Sequence, residues 1–161
     1  MLNYTQHNES PKSSRFIITT PQVNITILAF ESLDNEKMYF NNDFLQENVV
    51  EMVVAKASSI SENYCKELAL TIKHIFDFKL EKEDKTIIYI SIPENSLKHQ
   101  LMQRFIESDD NAHFNYLSFN VEDNVFCFFF NERKISTVKT WNSLAKFFKD
   151  EYGINFETKD E

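Results

Sequence analysis

One glycine, Gly153, stands in a chain of 161 residues, where average usage supplies about eleven. Phosphate-cradling loops, dinucleotide turns and nucleophile elbows rely on residues without a Cβ, which reach positive φ or let a ligand approach the backbone. A single glycine leaves none of those motifs in the sequence. Arginine is nearly as scarce (Arg15, Arg104, Arg133), so bidentate forks for phosphate or carboxylate are few. Only two cysteines occur, Cys65 and Cys127, which excludes a disulfide framework or a zinc ribbon. Both lie among apolar residues and are expected as buried thiols. The four histidines, His7, His74, His99 and His113, are scattered without HxxxH or HxH spacing, so no metal site is expected. No stretch reaches the roughly 18 apolar residues of a membrane span. A basic start followed by an apolar run is missing too, so the N-x-S/T triplets at Asn3, Asn8 and Asn24 read as chance matches and a cytoplasmic location is the expectation.

What is present is an aromatic core. Sixteen Phe, six Tyr and one Trp, within 42% hydrophobic residues, supply enough burial for one domain. The net charge of −8 is spread evenly, −3 over residues 1–60, −3 over 61–110 and −2 over 111–161. Such a field repels nucleic-acid phosphates and anionic lipid and favours basic partners or substrates.

Residues 1–14 are polar and aperiodic and read as a flexible arm; 157–161 read as an acidic tail. Arg15–Thr20 and Gln22–Glu31 have strand character, the second with Val23, Ile25, Ile27 and Ala29 alternating. Asp34-Asn35 signals a turn and 37–40 a return strand. Over 44–56, Phe44, Leu45, Val49, Met52 and Val53 fall near helical spacing, although Val49–Val54 also fits a strand; helix is the preferred reading. Ser59 and Glu62 have capping-box spacing, and Tyr64, Cys65, Leu68, Ala69, Ile72, Ile75 and Phe76 then form a helical stripe to about Leu80. Lys85–Ile92 reads as a strand, and Asn95 or Ser96 caps a helix to about Glu107. Phe114–Val121 is a strand whose alternation slips between Tyr116 and Leu117, as at a bulge. Val125–Phe130 is apolar throughout, so both of its faces must be covered, by helices or by another chain. Thr140 opens a last helix with Trp141, Leu144, Ala145, Phe148 and Tyr152 inward. Gly153 ends it in the left-handed conformation.

The catalytic candidates have weak support. His74 with Asp77 and Glu67 reads as an exposed helix face. Cys127 with His113 reads as a core thiol among phenylalanines, where a thiolate is disfavoured. Arg133, Lys134, Lys139, Lys146 and Lys149 near Trp141 suggest single-strand binding, but Glu132, Asp150 and Glu151 dilute the charge.

These features predict a single α+β domain over 15–156, with an antiparallel or mixed sheet of five or six strands and three or four helices. They predict no cofactor, no metal and no catalytic residue. The expected function is a non-catalytic inhibitor of the immunity or antitoxin type, covering a basic surface of a partner protein with the acids of three turns: Glu81, Glu83, Asp84, Asp109, Asp110, Glu122 and Asp123. The alternatives are an acidic adaptor or secretion chaperone, dimeric through Val125, Phe126, Cys127, Phe128, Phe129 and Phe130, and a small enzyme using Cys127 or His74.

Overall fold

Polar residues at the N-terminus are enough for a strand when a neighbour supplies the backbone partners. The computed structural model describes residues 1–10, 13–21, 25–33, 40, 42–108 and 114–160. In it the expected arm forms β1 (Asn3–Ser10), which pairs antiparallel with β2 (Ser13–Thr19). Leu2 is buried, and its N–H donates to Thr71 Oγ1 at 2.8 Å, tying the chain start to a helix. β3 (Thr26–Leu33) continues the antiparallel ladder. The turn at Asp34-Asn35 and the return strand at 37–40 fall outside the described residues, apart from buried Phe40.

The stretch 44–56 is mostly strand, which corrects the helix reading. A short helix, α1 (Asp43–Asn48), is capped by the Asn42 side chain, and the chain then straightens into β4 (Val49–Glu51) and β5 (Val53–Ala57). The two are successive pieces of one strand with different neighbours. β4 pairs parallel with β6 (Ile87–Pro93), whereas β5 pairs antiparallel with β3. Between them Met52, fully buried, donates its N–H to the Tyr89 carbonyl at 2.9 Å. The apolar run Val49–Val54 reflects this passage from one sheet into the next.

Among the described residues the architecture is therefore α+β, with two four-stranded sheets rather than one, ordered β1-β2-β3-β5 and β4-β6-β8-β7, and four α-helices. After β5 come a 3-10 turn (Glu62–Tyr64) and α2 (Cys65–Glu83), then β6, α3 (Leu97–Glu107), β7 (Asn115–Val121), β8 (Asn124–Phe130) and α4 (Thr137–Tyr152). The β7–β8 register is unbroken, so the slip at Tyr116 is no bulge. Tyr116 simply points outward at the sheet edge, 45% exposed.

Strand β8 explains the apolar hexad. It lies inside its sheet, between β6 and β7, with helices on both faces. Val125, Cys127 and Phe129 join the core under α2 and α3, while Phe126, Phe128 and Phe130 join the core under α4. Phe76 of α2 knits the first core, with its ring 5.6 Å from Phe30 of one sheet and 5.3 Å from Phe129 of the other. Alternating faces along every strand produce this three-layer arrangement.

Without glycine, the left-handed turns fall to other residues. Asp84, Asn95, Glu122 and Asp123 all have positive φ, and Gly153 does the same at the end of α4. Glu122 and Asp123 form a two-residue hairpin, for which two left-handed residues match the strand twist. Gly153 N–H donates to the Lys149 carbonyl and Ile154 N–H to that of Phe148, as a left-handed helix stop requires. Beyond it the tail folds back. Lys159 N–H donates to Asn142 Oδ1 at 2.8 Å, and Asn142 Nδ2 donates to the Lys159 carbonyl at 2.7 Å.

Candidate functional site

The passage at Met52 creates the most distinctive geometry in the molecule. β4 and β6 run parallel through Val49–Ile87, Val50–Ile88 and Glu51–Tyr89. Past Met52 the chain turns to β3, so the C-terminal half of β6 loses its partner on that side. In mixed and parallel sheets ligands settle outside the carboxyl ends of strands, where neighbouring strands part in opposite directions. Here the parting point leads straight into the segment 58–64 and the N-terminus of α2. That helix has 19 residues, and its dipole places partial positive charge at this mouth.

The lining of the parting point is chemically mixed. Val49 packs toward the α4 core, and Glu51, two residues on, faces the same way. Glu51 is half-buried and stands in register with Tyr89. Burial first, and the nearby Glu51 charge as a smaller cause, push the Tyr89 phenol well above its ordinary range, against a hydrogen bond with the Ser91 side chain. Tyr89 therefore stays neutral.

At the mouth, the Ser61 side chain accepts from Asn63 N–H, and Tyr64 N–H donates to the Ser61 carbonyl. The Ser59–Glu62 capping box does not form. The Glu62 carboxylate instead crosses to α3, where Arg104 Nη1 lies 2.6 Å from Glu62 Oε1. The same Nη1 is 3.2 Å from Cys65 Sγ at the first residue of α2. The hydrogen bond to Glu62 holds the Arg104 guanidinium above even its ordinary range. Beside it lies a shallow hollow of about 470 Å3 lined by Asn95, His99, Gln100, Gln103, Arg104 and Glu107. Cys65 is half-exposed, not buried as expected. Nothing in the local sequence signals this cluster, because Arg104 reaches it from a separate helix.

The other candidate residues lie elsewhere. Cys127 is buried, and desolvation pushes its thiol up to about 12, so it is no nucleophile. His113 lies outside the described residues. His74 is exposed with its ring 5.6 Å from Tyr4, while Asp77 pairs with Lys73 at 3.2 Å. Trp141 packs on the α4 core, and Lys159 sits over its ring.

The two acidic turns among the described residues do not share a rim. Glu81, Glu83 and Asp84 close α2, next to the start of β6, and Glu83 is paired with buried Lys79 at 2.8 Å. Glu122 and Asp123 sit at the far end of β6, where the Asp123 carbonyl accepts from Glu94 N–H. A strand of seven residues, about 20 Å, separates the two groups. Asp109 and Asp110 lie outside the described residues.

Among the described residues no group of three or more His, Cys, Asp or Glu is set to hold a metal ion, and no helix is long and apolar enough to cross a membrane.

No protein-family model matches the chain. No curated protein matches it either. Solved structures do. The chain is similar to the Campylobacter jejuni N-acetyltransferase PseH in complex with acetyl coenzyme A, at 8% identity and TM-score 0.44, over 74% of this chain and 69% of that one. It is similar to the Vibrio cholerae spermidine N-acetyltransferase in complex with CoA and spermine, at 15% identity and TM-score 0.43, over 78% and 69%. These neighbours are acetyltransferases. The expectation of a non-catalytic inhibitor, immunity protein or dimeric chaperone is corrected on the placement of its own residues. The chain's own geometry gives the physical reasons. The described acids expected to cover a basic partner (Glu81, Glu83, Asp84, Glu122 and Asp123) are split between two ends of a strand, and Val125–Phe130, expected as a dimer edge, is an interior strand with both edges paired.

Proposed function

We propose that the chain is an N-acyltransferase that passes an acyl group from a coenzyme A thioester to an amine. The observation that carries the reading is the parting of β4–β5 from β6 at Met52, with the N-terminus of a long helix at its mouth. A strand pair opened at its carboxyl end receives an extended ligand arm, and the helix N-terminus beside it favours the phosphates of a carrier.

The residues present fit that carrier on one condition. Arg104 and the α2 dipole suit a phosphate, whereas the Glu62 carboxylate already takes the cation. Bound there, the thioester supplies an acyl group activated toward an amine nitrogen.

The rest falls to the chain's own groups. Glu51, half-buried at the parting point, is the candidate general base that removes the proton from an incoming ammonium. Tyr89, neutral and buried, shapes the wall next to it and accepts no charge. The net charge of −8 draws a cationic amine toward the molecule. A cytoplasmic location belongs to the same proposal, in keeping with two free thiols.

The test is calorimetric titration with acetyl coenzyme A, followed by thiol release with a panel of polyamines and peptide amines. Saturable binding and amine-dependent release support the reading. Absence of binding at millimolar cofactor removes it.

A further inference from the structure

The chain beyond Gly153 is held against α4 as a bound peptide is held. Its burial alternates: Ile154 and Phe156 pack on the α4 core, while Asn155 and Glu157 are exposed, the period of an extended segment. The Phe156 ring lies 4.8 Å from Phe119 of β7 and 5.8 Å from Phe148 of α4. Two neighbouring side chains of α4 take the backbone. Trp141 Nε1 donates to the Glu157 carbonyl at 2.6 Å, and Asn142 pairs with both the N–H and the carbonyl of Lys159. Lys159 Nζ then sits 4.8 Å over the Trp141 ring. A side-chain amide that pairs with both backbone groups of one residue reads no side chain there, so this grip suits any extended segment. Selectivity falls to two positions, an aromatic ring and a cation three residues later. Indole is the ring a cation prefers, and the net charge of −8 favours a basic segment. None of these contacts needs the covalent link at Gly153, which supplies only a local concentration of about millimolar order.

We propose that the Trp141–Asn142 face of α4 is a docking groove for an extended segment of a partner protein, aromatic-x-x-Lys in pattern, and that the chain's own segment 154–160 covers it until such a segment competes. The cover is thin: Asn155 and residues 157–160 are exposed, and segments with few buried contacts open first. No residue of the acyl-transfer site takes part, so the groove stands or falls apart from that reading.

Trp141 is the only tryptophan, so its emission reports the groove. The probe is the capped synthetic peptide Ile-Asn-Phe-Glu-Thr-Lys-Asp, the sequence of residues 154–160. It is titrated into the full-length wild type, into a tail variant carrying Phe156→Ala and Lys159→Ala, and into that tail variant with Asn142→Ala added, each checked for native circular dichroism. The tail variant should give a saturable change in emission. Wild type should need about tenfold to a hundredfold more peptide, because its tethered segment competes. Asn142→Ala should weaken binding to the tail variant about tenfold, through two lost hydrogen bonds. A peptide with alanine at both its Phe and its Lys should bind none of the three. Should the tail variant lose its native spectrum, Lys159→Ala alone takes its place in the same comparison. No saturable change in the tail variant at millimolar peptide, or equal binding with and without Asn142, overturns the groove. A wild type that never responds marks 154–160 as a fixed part of the fold and overturns the competition.

Discussion

Phe76→Ala should be among the most damaging single changes in this chain, because one ring joins both sheets. Phe76 is fully buried in α2. Its ring lies 5.6 Å from Phe30, 5.5 Å from Phe105, 5.9 Å from Phe114 and 5.3 Å from Phe129. Those four partners come from β3, α3, the residue before β7, and β8, so the truncation opens a cavity in the core that Met52 shares. Deleting a buried phenylalanine costs about 3–5 kcal/mol, lost transfer and cavity together. With a urea m-value of about 2 kcal/mol/M, the midpoint should fall by about 2 M. Phe78→Ala serves as control: two residues along the same helix it is 38% exposed, and it should cost less than half as much. Equilibrium urea unfolding followed by tryptophan fluorescence and far-UV circular dichroism measures both. A loss below about 1.5 kcal/mol for Phe76→Ala, or equal losses for the two variants, would refute the joining role of that ring.

Three further expectations follow from named groups. Gly153→Ala meets open space but is held at φ 69°, so it should cost about 1 kcal/mol of backbone strain, read as a fall of a few degrees in Tm. Cys127 is protonated in the folded chain up to about pH 12, above its unfolded range, so it favours the folded state fully at neutral pH. That contribution is lost as pH rises from about 9 toward 12, and Cys127→Ala should flatten the decline of stability there by up to about 1.4 kcal/mol per pH unit, measured by urea unfolding across that range. Glu51→Gln should lower kcat about a hundredfold while leaving the affinity for acetyl coenzyme A nearly unchanged, as steady-state kinetics and calorimetry would show together.

Helices were the readable part of this sequence, since a 3.6-residue stripe survives without tertiary information. The stripe from Leu68 to Phe76 and the Ser96 cap are where the spacing puts them. α4 starts at Thr137, after the Ser136 cap, and not at Thr140, because Thr137, Val138 and Lys139 add a turn off the apolar stripe, with Thr140 Oγ1 donating to the Ser136 carbonyl. β1 was unreadable for another reason: an edge strand of polar residues is held mainly by backbone pairing to β2, which leaves no compositional trace. The break at Met52 is hidden because a strand covered first in one sheet and then in the other is apolar at every position but Glu51. The candidate site was least legible of all. Glu51 sits in an apolar run, and Glu62 has the right spacing from Ser59 for a cap, so its true partner on α3 could not be read from its neighbours. Scarcity of glycine excludes glycine-loop motifs but not left-handed turns, which Asp84, Asn95, Glu122 and Asp123 supply without it.

On the proposed reading, the parting of β4–β5 from β6 at Met52 receives a coenzyme A thioester. Calorimetric titration of the wild-type chain with acetyl coenzyme A, repeated after Glu51→Trp enlarges the half-buried side chain at the parting point, tests it most directly. Saturable binding by wild type, lost in a variant that remains folded by circular dichroism, is the predicted result. Equal binding by both proteins, or none by wild type at millimolar ligand, would contradict it.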